Sequence, residues 1–205
     1  WTCSKGLLKG DMMQQFEAEL TLKLKAPFLF PGVEAGRFGF DRIAMRDCEG
    51  RIVIPQDQIR GLMRHGLMEL GLPEEARRLF GVGSDEVESG SYTPWPGLVN
   101  PADLVVLDEV PDRAPPFHRV RIGEESGAAE EGHLLSVEQV SPPEKEAAFS
   151  GRLDFFAQDQ VEACKMGDLM ALSLSVWDAI GAYTSIGFGR ILAAPQIRVS
   201  KASPV

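Results

Sequence analysis

Between Phe16 and Leu24 the chain alternates without interruption, Phe16, Ala18, Leu20, Leu22 and Leu24 against Glu17, Glu19, Thr21 and Lys23. A period of two with one apolar side specifies a half-buried sheet strand, and no other stretch constrains the fold as tightly. Pro27 and the Pro31-Gly32 pair end it. Phe149, Gly151, Leu153 and Phe155 alternate in the same way with Ser150, Arg152, Asp154 and Phe156. Residues 51–54, 104–107 and 191–199 add a short strand, a buried strand and a final strand.

Between these lie two helical patterns. Ile59, Leu62, Met63, Leu67 and Leu70 give a helix with one buried face, entered at Pro55 and stopped by Gly71 and Pro73. Residues 74–80 add a further turn closed by Gly81 and Gly83. Leu169, Leu172, Val176 and Ile180 place a second helix over 168–180. Residues 1–15 read as loop or frayed helix, and Trp95, between Pro94 and Pro96, as a packing anchor. The segment Phe117-His118-Arg119-Val120-Arg121-Ile122, then GEESGAAEEG and a second alternating arm, predicts a long hairpin or flap. Strand, loop, strand, helix, insertion, strand, helix, glycine loop, strand is a split βαβ order: an α+β, ferredoxin-like (RRM-like) core with insertions. At 205 residues this is one domain. Its insertion covers about 83–147, with the hairpin at about 108–140.

A net charge of −9 argues against binding nucleic acid by bulk charge, so distribution matters more than the sum. Residues 36–64 hold six arginines, Arg37, Arg42, Arg46, Arg51, Arg60 and Arg64, against Asp41, Asp47, Glu49 and Asp57. Residues 124–146 hold seven glutamates and one lysine. Cys3, Cys48 and Cys164 are widely spaced without a CxxC pair, which argues against a disulfide framework or closed zinc site and for a reducing cytoplasm. No apolar run approaches the roughly 20 residues of a membrane span, and no signal peptide is visible. A start at Trp1 is expected of a segment of a longer polypeptide.

The stretch GRFGFDRIAMRDCEGRIVIPQDQIRGLMRHGLMEL sets a single acid, Asp41, among arginines and beside a helix N-terminus, a position that favours anions. That combination suits phosphate chemistry on a polyanion; a solvated loop with ordinary ion pairs is the competing reading. Arg60 and Arg64, one turn apart, project from the same side of the helix. The glycine-rich turn IGAYTSIGFGR precedes a strand rather than opening a helix, the wrong context for a nucleotide fingerprint.

Three stretches together resemble the RAMP superfamily of CRISPR-associated proteins, nearest to the repeating backbone subunit of type III effector complexes. FDRIAMRDCEGRIVIPQDQIRGLMRHGL is similar to the family's aspartate loop followed by "IPGSSLKGxxR". HRVRIGEESGAAEEGHLLSVEQV is similar to "R-x-x-I-x-x-x-x-G-x-A-x-x-G-x-L-x-x-x-E", and IGAYTSIGFGR to "LGGxxSxGFGR". Arg60 stands for the lysine of "LKG", Gly61 and Arg64 match directly, and Gln56-Asp57-Gln58 replaces "GSS".

The resemblance implies an RRM-like core binding guide RNA beside neighbouring RAMP subunits and other effector-complex proteins, with the hairpin as a thumb that splays out one nucleotide of the guide–target duplex. It places Asp41 where the family has its RNA-cleaving aspartate. There a carboxylate would accept the 2′-hydroxyl proton or share Mg²⁺, or another divalent cation, with RNA phosphates of the complementary target. Arg37, Arg42, Arg46, Arg60, Arg64, Arg119, Arg121 and Arg190 are the candidates for phosphate contact. Tyr183 and Phe188 either stack on bases or, for Phe188, plug the core. His65 and His118 read as structural or as general acids. A cleaving subunit, a non-catalytic scaffold or capping paralogue, and a guide-processing endoribonuclease are the readings to separate.

Overall fold

The computed structural model describes residues 13–32, 39–82, 97–108, 116–123, 127–140 and 145–202. In chain order the elements are β1 (Gln14–Lys25), β2 (Val53–Ile54), α1 (Gln56–Glu69), α2 (Pro73–Phe80), β3 (Val99–Pro101), β4 (Leu104–Val106), β5 (Phe117–Ile122), β6 (Ala129–Val137), β7 (Glu146–Ala157), α3 (Gln160–Leu174), β8 (Arg190–Ile191) and β9 (Gln196–Lys201). Strands β1 and β7 pair antiparallel in unbroken register from Gln14↔Ala157 to Lys25↔Glu146. On the far side of β1 lie β9 and β8; on the far side of β7 lie β3 and β4, with β2 beyond β4. All these pairings are antiparallel. Helix α1 falls between β1 and the β3/β4 pair, and α3 between β7 and β9. This is the β-α-β-β-α-β ferredoxin-like order that the sequence predicts.

The apolar side of β1 is sealed: Phe16, Ala18, Leu20, Leu22 and Leu24 are each 1% exposed or less. Across from it Phe149, Leu153 and Phe155 are equally buried. Phe16 stacks on Phe155 with ring centroids 6.0 Å apart, while Phe28 and Phe30 meet Phe149 edge-on at 5.3 and 5.8 Å. Helix α1 covers this face with Ile59, Met63 and Leu67, and α3 with Ala163, Met166, Met170 and Leu174. The two helices touch at Gly66, where a Cβ would collide with the Ser173 carbonyl. Trp177 then clips the helices together, its indole N–H donating to the Leu62 carbonyl (3.1 Å).

Helix α3 departs from the sequence reading. It begins at Gln160, eight residues before the expected start, because the Asp159 side chain accepts the Glu162 amide (2.8 Å) and caps the first turn. It ends at Leu174 rather than 180, and its buried side is built from small and flexible residues, so Leu172, expected inside, is exposed, as is Val176 just past its end. Leu70, expected on the buried face of α1, lies just past its end and is exposed. The expected strand 191–199 is split into β8 and β9 around Pro195. Gln14 and Gln15, expected in a loop, are the first residues of β1. Residues 1–12, Gly83 and Trp95 lie outside the described residues.

The hairpin is present as β5–β6, a two-stranded sheet of its own, with an irregularity between Val120 and Ile122. The contrast between two helix glycines is testable. Gly66→Ala is expected to destabilise the protein by about 1–3 kcal/mol through overpacking against α3. Gly61→Ala, whose Cβ meets open space, is expected to stabilise by about 0.5–1 kcal/mol. Denaturant midpoints of the two variants check both, and equal stability of Gly66→Ala and wild type would refute the packing account.

Candidate nucleic-acid interface

After β1 the chain runs through buried Phe28, Leu29 and Phe30 and returns at Gly39, in the left-handed region at φ 95°. It then lies along the edge of β6. The Asp41 amide donates to the Ser136 carbonyl (2.8 Å), and the Ser136 amide donates back to Asp41 Oδ2 (2.7 Å). One residue on, the Arg42 carbonyl accepts the Glu138 amide (2.8 Å), making a short parallel bridge with Val137. Backbone and carboxylate thus fix Asp41 together at the base of the hairpin. Its side chain stays exposed, and among the described residues Oδ1 has no hydrogen-bond partner. On the same rung, His118 Nδ1 lies 3.1 Å from Ser136 Oγ.

A carboxylate from the hairpin grips the same loop further along. Glu138 Oε2 accepts the Ala44 amide (2.7 Å) and Arg46 Nη1 (3.1 Å), and Oε1 accepts Arg46 Nη2 (2.6 Å). The turn after it is closed by Asp47, which accepts the amides of Glu49 (3.0 Å) and Arg51 (2.9 Å) and the Arg51 Nε–H (2.8 Å). Desolvation pushes the Asp47 carboxyl upward, but these bonds from Arg51 and Glu49, with the guanidinium charge, outweigh it and hold the carboxyl below its ordinary value.

The glycine loop holds the hairpin from the other side. Gly189 (φ 65°) would drive a Cβ into the Ile180 carbonyl, so only glycine fits there. Its amide reaches the Pro27 carbonyl (2.8 Å), and the Ala182 amide that of Leu29 (2.8 Å). Tyr183 sits in the left-handed region at φ 62°. Phe188 is 3% exposed and meets Phe117 (5.6 Å) and Tyr183 (5.8 Å) edge-on, so of its two readings the core plug is correct. The Arg119 guanidinium lies over the Tyr183 ring, 5.5 Å from its centroid. The three sequence-distant motifs therefore meet around one hairpin base.

The expected arginine face is thinner than the sequence implies. Arg42 and Arg190 are exposed, and Arg119 is exposed against Tyr183. Arg46 is held by Glu138, and Arg121 faces Glu130 across the hairpin (3.2 Å). Arg60 turns to the Asn100 side chain (3.2 Å) and the Val99 carbonyl (3.4 Å) instead of outward. Arg64, one turn on, is 9% exposed, and Arg60 is half-buried. The N-terminus of α1 is not open to a phosphate either, because Asp103 Oδ1 accepts the Gln56 amide (2.7 Å). Arg37 lies outside the described residues.

Among the described residues no group of three or more His, Cys, Asp or Glu side chains comes together for a metal ion. Asp41 Oδ1 could serve a divalent ion as one ligand. A shallow concavity on the helix-free face of the sheet, lined by Glu17, Glu19, Ser150, Arg152, Arg198 and Ser200 among others, contains none of these residues.

The fold and this convergence define an RRM-like domain that carries a hairpin and an acid-bearing loop on one side of its core. The chain belongs to the RAMP superfamily, whose family model matches residues 21–192. It is similar to a solved chain in the cryo-EM structure of the type III-B Cmr-beta bound to cognate target RNA, at 18% identity and a TM-score of 0.59 over 93% of its length. It spans 62% of that chain, and the likeness is one of fold. No curated protein matches the sequence. No helix among the described residues is long and apolar enough to cross a membrane.

The Asp47 turn carries a pH signature. Because the folded carboxyl is held below its unfolded value, its contribution is complete above the unfolded pKa, near 4, and is lost as pH falls through the folded pKa. Asp47→Asn is expected to flatten the acid limb of a stability–pH curve measured by denaturant titration. An unchanged limb would show that the turn contributes nothing there.

Proposed function

We propose that this chain is a guide-RNA-binding backbone subunit of a type III CRISPR effector complex that cleaves complementary target RNA through Asp41, in the cytoplasm. The observation carrying the proposal is the reciprocal bonding of Asp41 and Ser136, which sets a solvent-facing carboxylate at the base of a hairpin. Membership of the RAMP superfamily, and likeness of fold to a chain from an assembly bound to target RNA, support it. In this reading the β5–β6 hairpin enters the guide–target duplex and unstacks one target nucleotide. Freed from A-form geometry, its 2′-hydroxyl can align with the neighbouring phosphorus and the 5′-oxygen. Asp41 accepts the 2′-hydroxyl proton as that oxygen bonds to phosphorus. The bond from phosphorus to the 5′-oxygen breaks, and the leaving oxygen takes a proton from water. In its alternative role Asp41 would instead hold one Mg²⁺ or similar ion, whose charge would offset that developing on the phosphate. Arg42, Arg119 and Arg190 offer phosphate contacts, and Tyr183 a face for a base. Neighbouring RAMP subunits and other effector-complex proteins complete the guide-binding path.

A scaffold reading draws on a specific observation, the solitary carboxylate. In the assembled complex with labelled target RNA, Asp41→Ala is expected to lower cleavage by about 10²-fold or more while target binding persists. Omitting Mg²⁺ is expected to stop the wild-type cut. The same fragments at the same rate from both proteins would leave a non-catalytic scaffold.

A further inference from the structure

Cleavage at a fixed site needs two devices in register, the hairpin that unstacks a nucleotide and the carboxylate that acts beside it. They lie far apart in sequence, Asp41 on the 39–46 loop and the hairpin on 117–137. The loop is bonded to β6 through the Asp41 and Arg42 backbone and the Asp41 carboxylate, and Ile43 and Met45 bond back to Gly32 and Phe30 after β1. Glu138, one residue past β6, supplies a different kind of link. Its carboxylate takes the Ala44 amide with one oxygen and divides the Arg46 guanidinium between both, at 2.7, 3.1 and 2.6 Å. These are charge-assisted bonds in the bidentate geometry that fixes orientation as well as distance. With side chains 34% and 20% exposed, Arg46 and Glu138 are partly shielded from competing water.

Building on the cleavage reading above, we propose that Glu138 is a positioning residue for Asp41. Its carboxylate locks the Asp41 loop to the base of the hairpin, so the phosphodiester that is cut is fixed relative to the nucleotide the hairpin unstacks. Arg46, whose charge is met by Glu138, serves the lock before it serves the RNA. The arrangement has a functional consequence: loosening the loop shifts the carboxylate without removing it, so rate and accuracy fall together while RNA affinity, set elsewhere, stays.

The test uses the complex reconstituted with the full chain carrying Glu138→Ala, Glu138→Gln or, as the control, Asp41→Ala. Glu138→Ala is expected to bind target as wild type does, to cut about 10²-fold more slowly, and to spread its cuts over neighbouring bonds. Glu138→Gln, which keeps a neutral acceptor for Ala44, is expected to fall between the two. Amide hydrogen exchange on the same full-length variants reads the lock without cleavage. Protection of Asp41, Arg42 and Ala44 is expected to drop in Glu138→Ala while that of Leu20 in β1 is unchanged, which also shows that the protein is folded. A single cut at the wild-type rate, or unchanged protection in the loop, would overturn the proposal. If Asp41→Ala cuts like wild type, the cleavage reading fails, and a rigid loop in Glu138→Ala would still refute the lock separately.

Discussion

The pairing of β1 with β7 is the constraint on which the rest of the molecule depends. Twelve residues of each strand match without a bulge, and each strand turns its apolar residues to the same side. That side must be covered, which recruits α1 and α3 and seals the core. The three motif-bearing segments all issue from these strands or their immediate continuations. The Asp41 loop follows β1, the hairpin precedes β7, and the glycine loop is stitched to residues 27–29 just beyond β1. A site assembled from residues 41, 119, 136 and 183 is possible because one long pairing brings their roots together.

Electrostatics then decides what the site can do. A chain of net charge −9 has little long-range attraction for RNA, and several of its arginines are already matched to carboxylates. The Arg46–Glu138 pair is bidentate and partly shielded. Arg121–Glu130, with side chains 70% and 35% exposed, is a surface pair contributing about 0–1 kcal/mol, weak enough for a phosphate to displace. In the proposed function, RNA recognition would rest on a few exposed cations and on the shape of the hairpin. In the proposed function the same economy would apply to metal, toward which Asp41 offers one carboxylate oxygen.

How much of this could be read from the sequence followed from physical range. Strong two-residue alternation made β1 and β7 plain, and helix spacing with Pro55 and Gly71 made α1 plain. The position of helix α3 is faint in the sequence because its inner face is Ala163, Met166, Gly167 and Met170, a weak hydrophobic signal beside the louder but exposed Leu172 and Val176. Its start was nevertheless written in Asp159 and Glu162, a capping signature. In the site, Asp41 was visible through its motif, whereas its partner Ser136 stands 95 residues away. Asp103, which occupies the N-terminus of α1, is 47 residues from Gln56, and nothing local announces it. Glu138 closes the second motif as its terminal glutamate, so its position was legible but its grip on Arg46 was not. Arg64 is 9% exposed, a burial that its spacing from Arg60 does not announce.

The central claim is that the hairpin base delivers the Asp41 carboxylate to the scissile position of a bound RNA. The most direct measurement is a structure of the assembled complex on a target made uncleavable by a 2′-deoxy substitution at the unstacked nucleotide. The account predicts Asp41 within about 3 Å of that sugar's 2′ position or joined to the adjacent phosphate through one ion, with its bonds to Ser136 kept. Target RNA lying across the helix-free face of the sheet, with Asp41 still facing solvent, would contradict it.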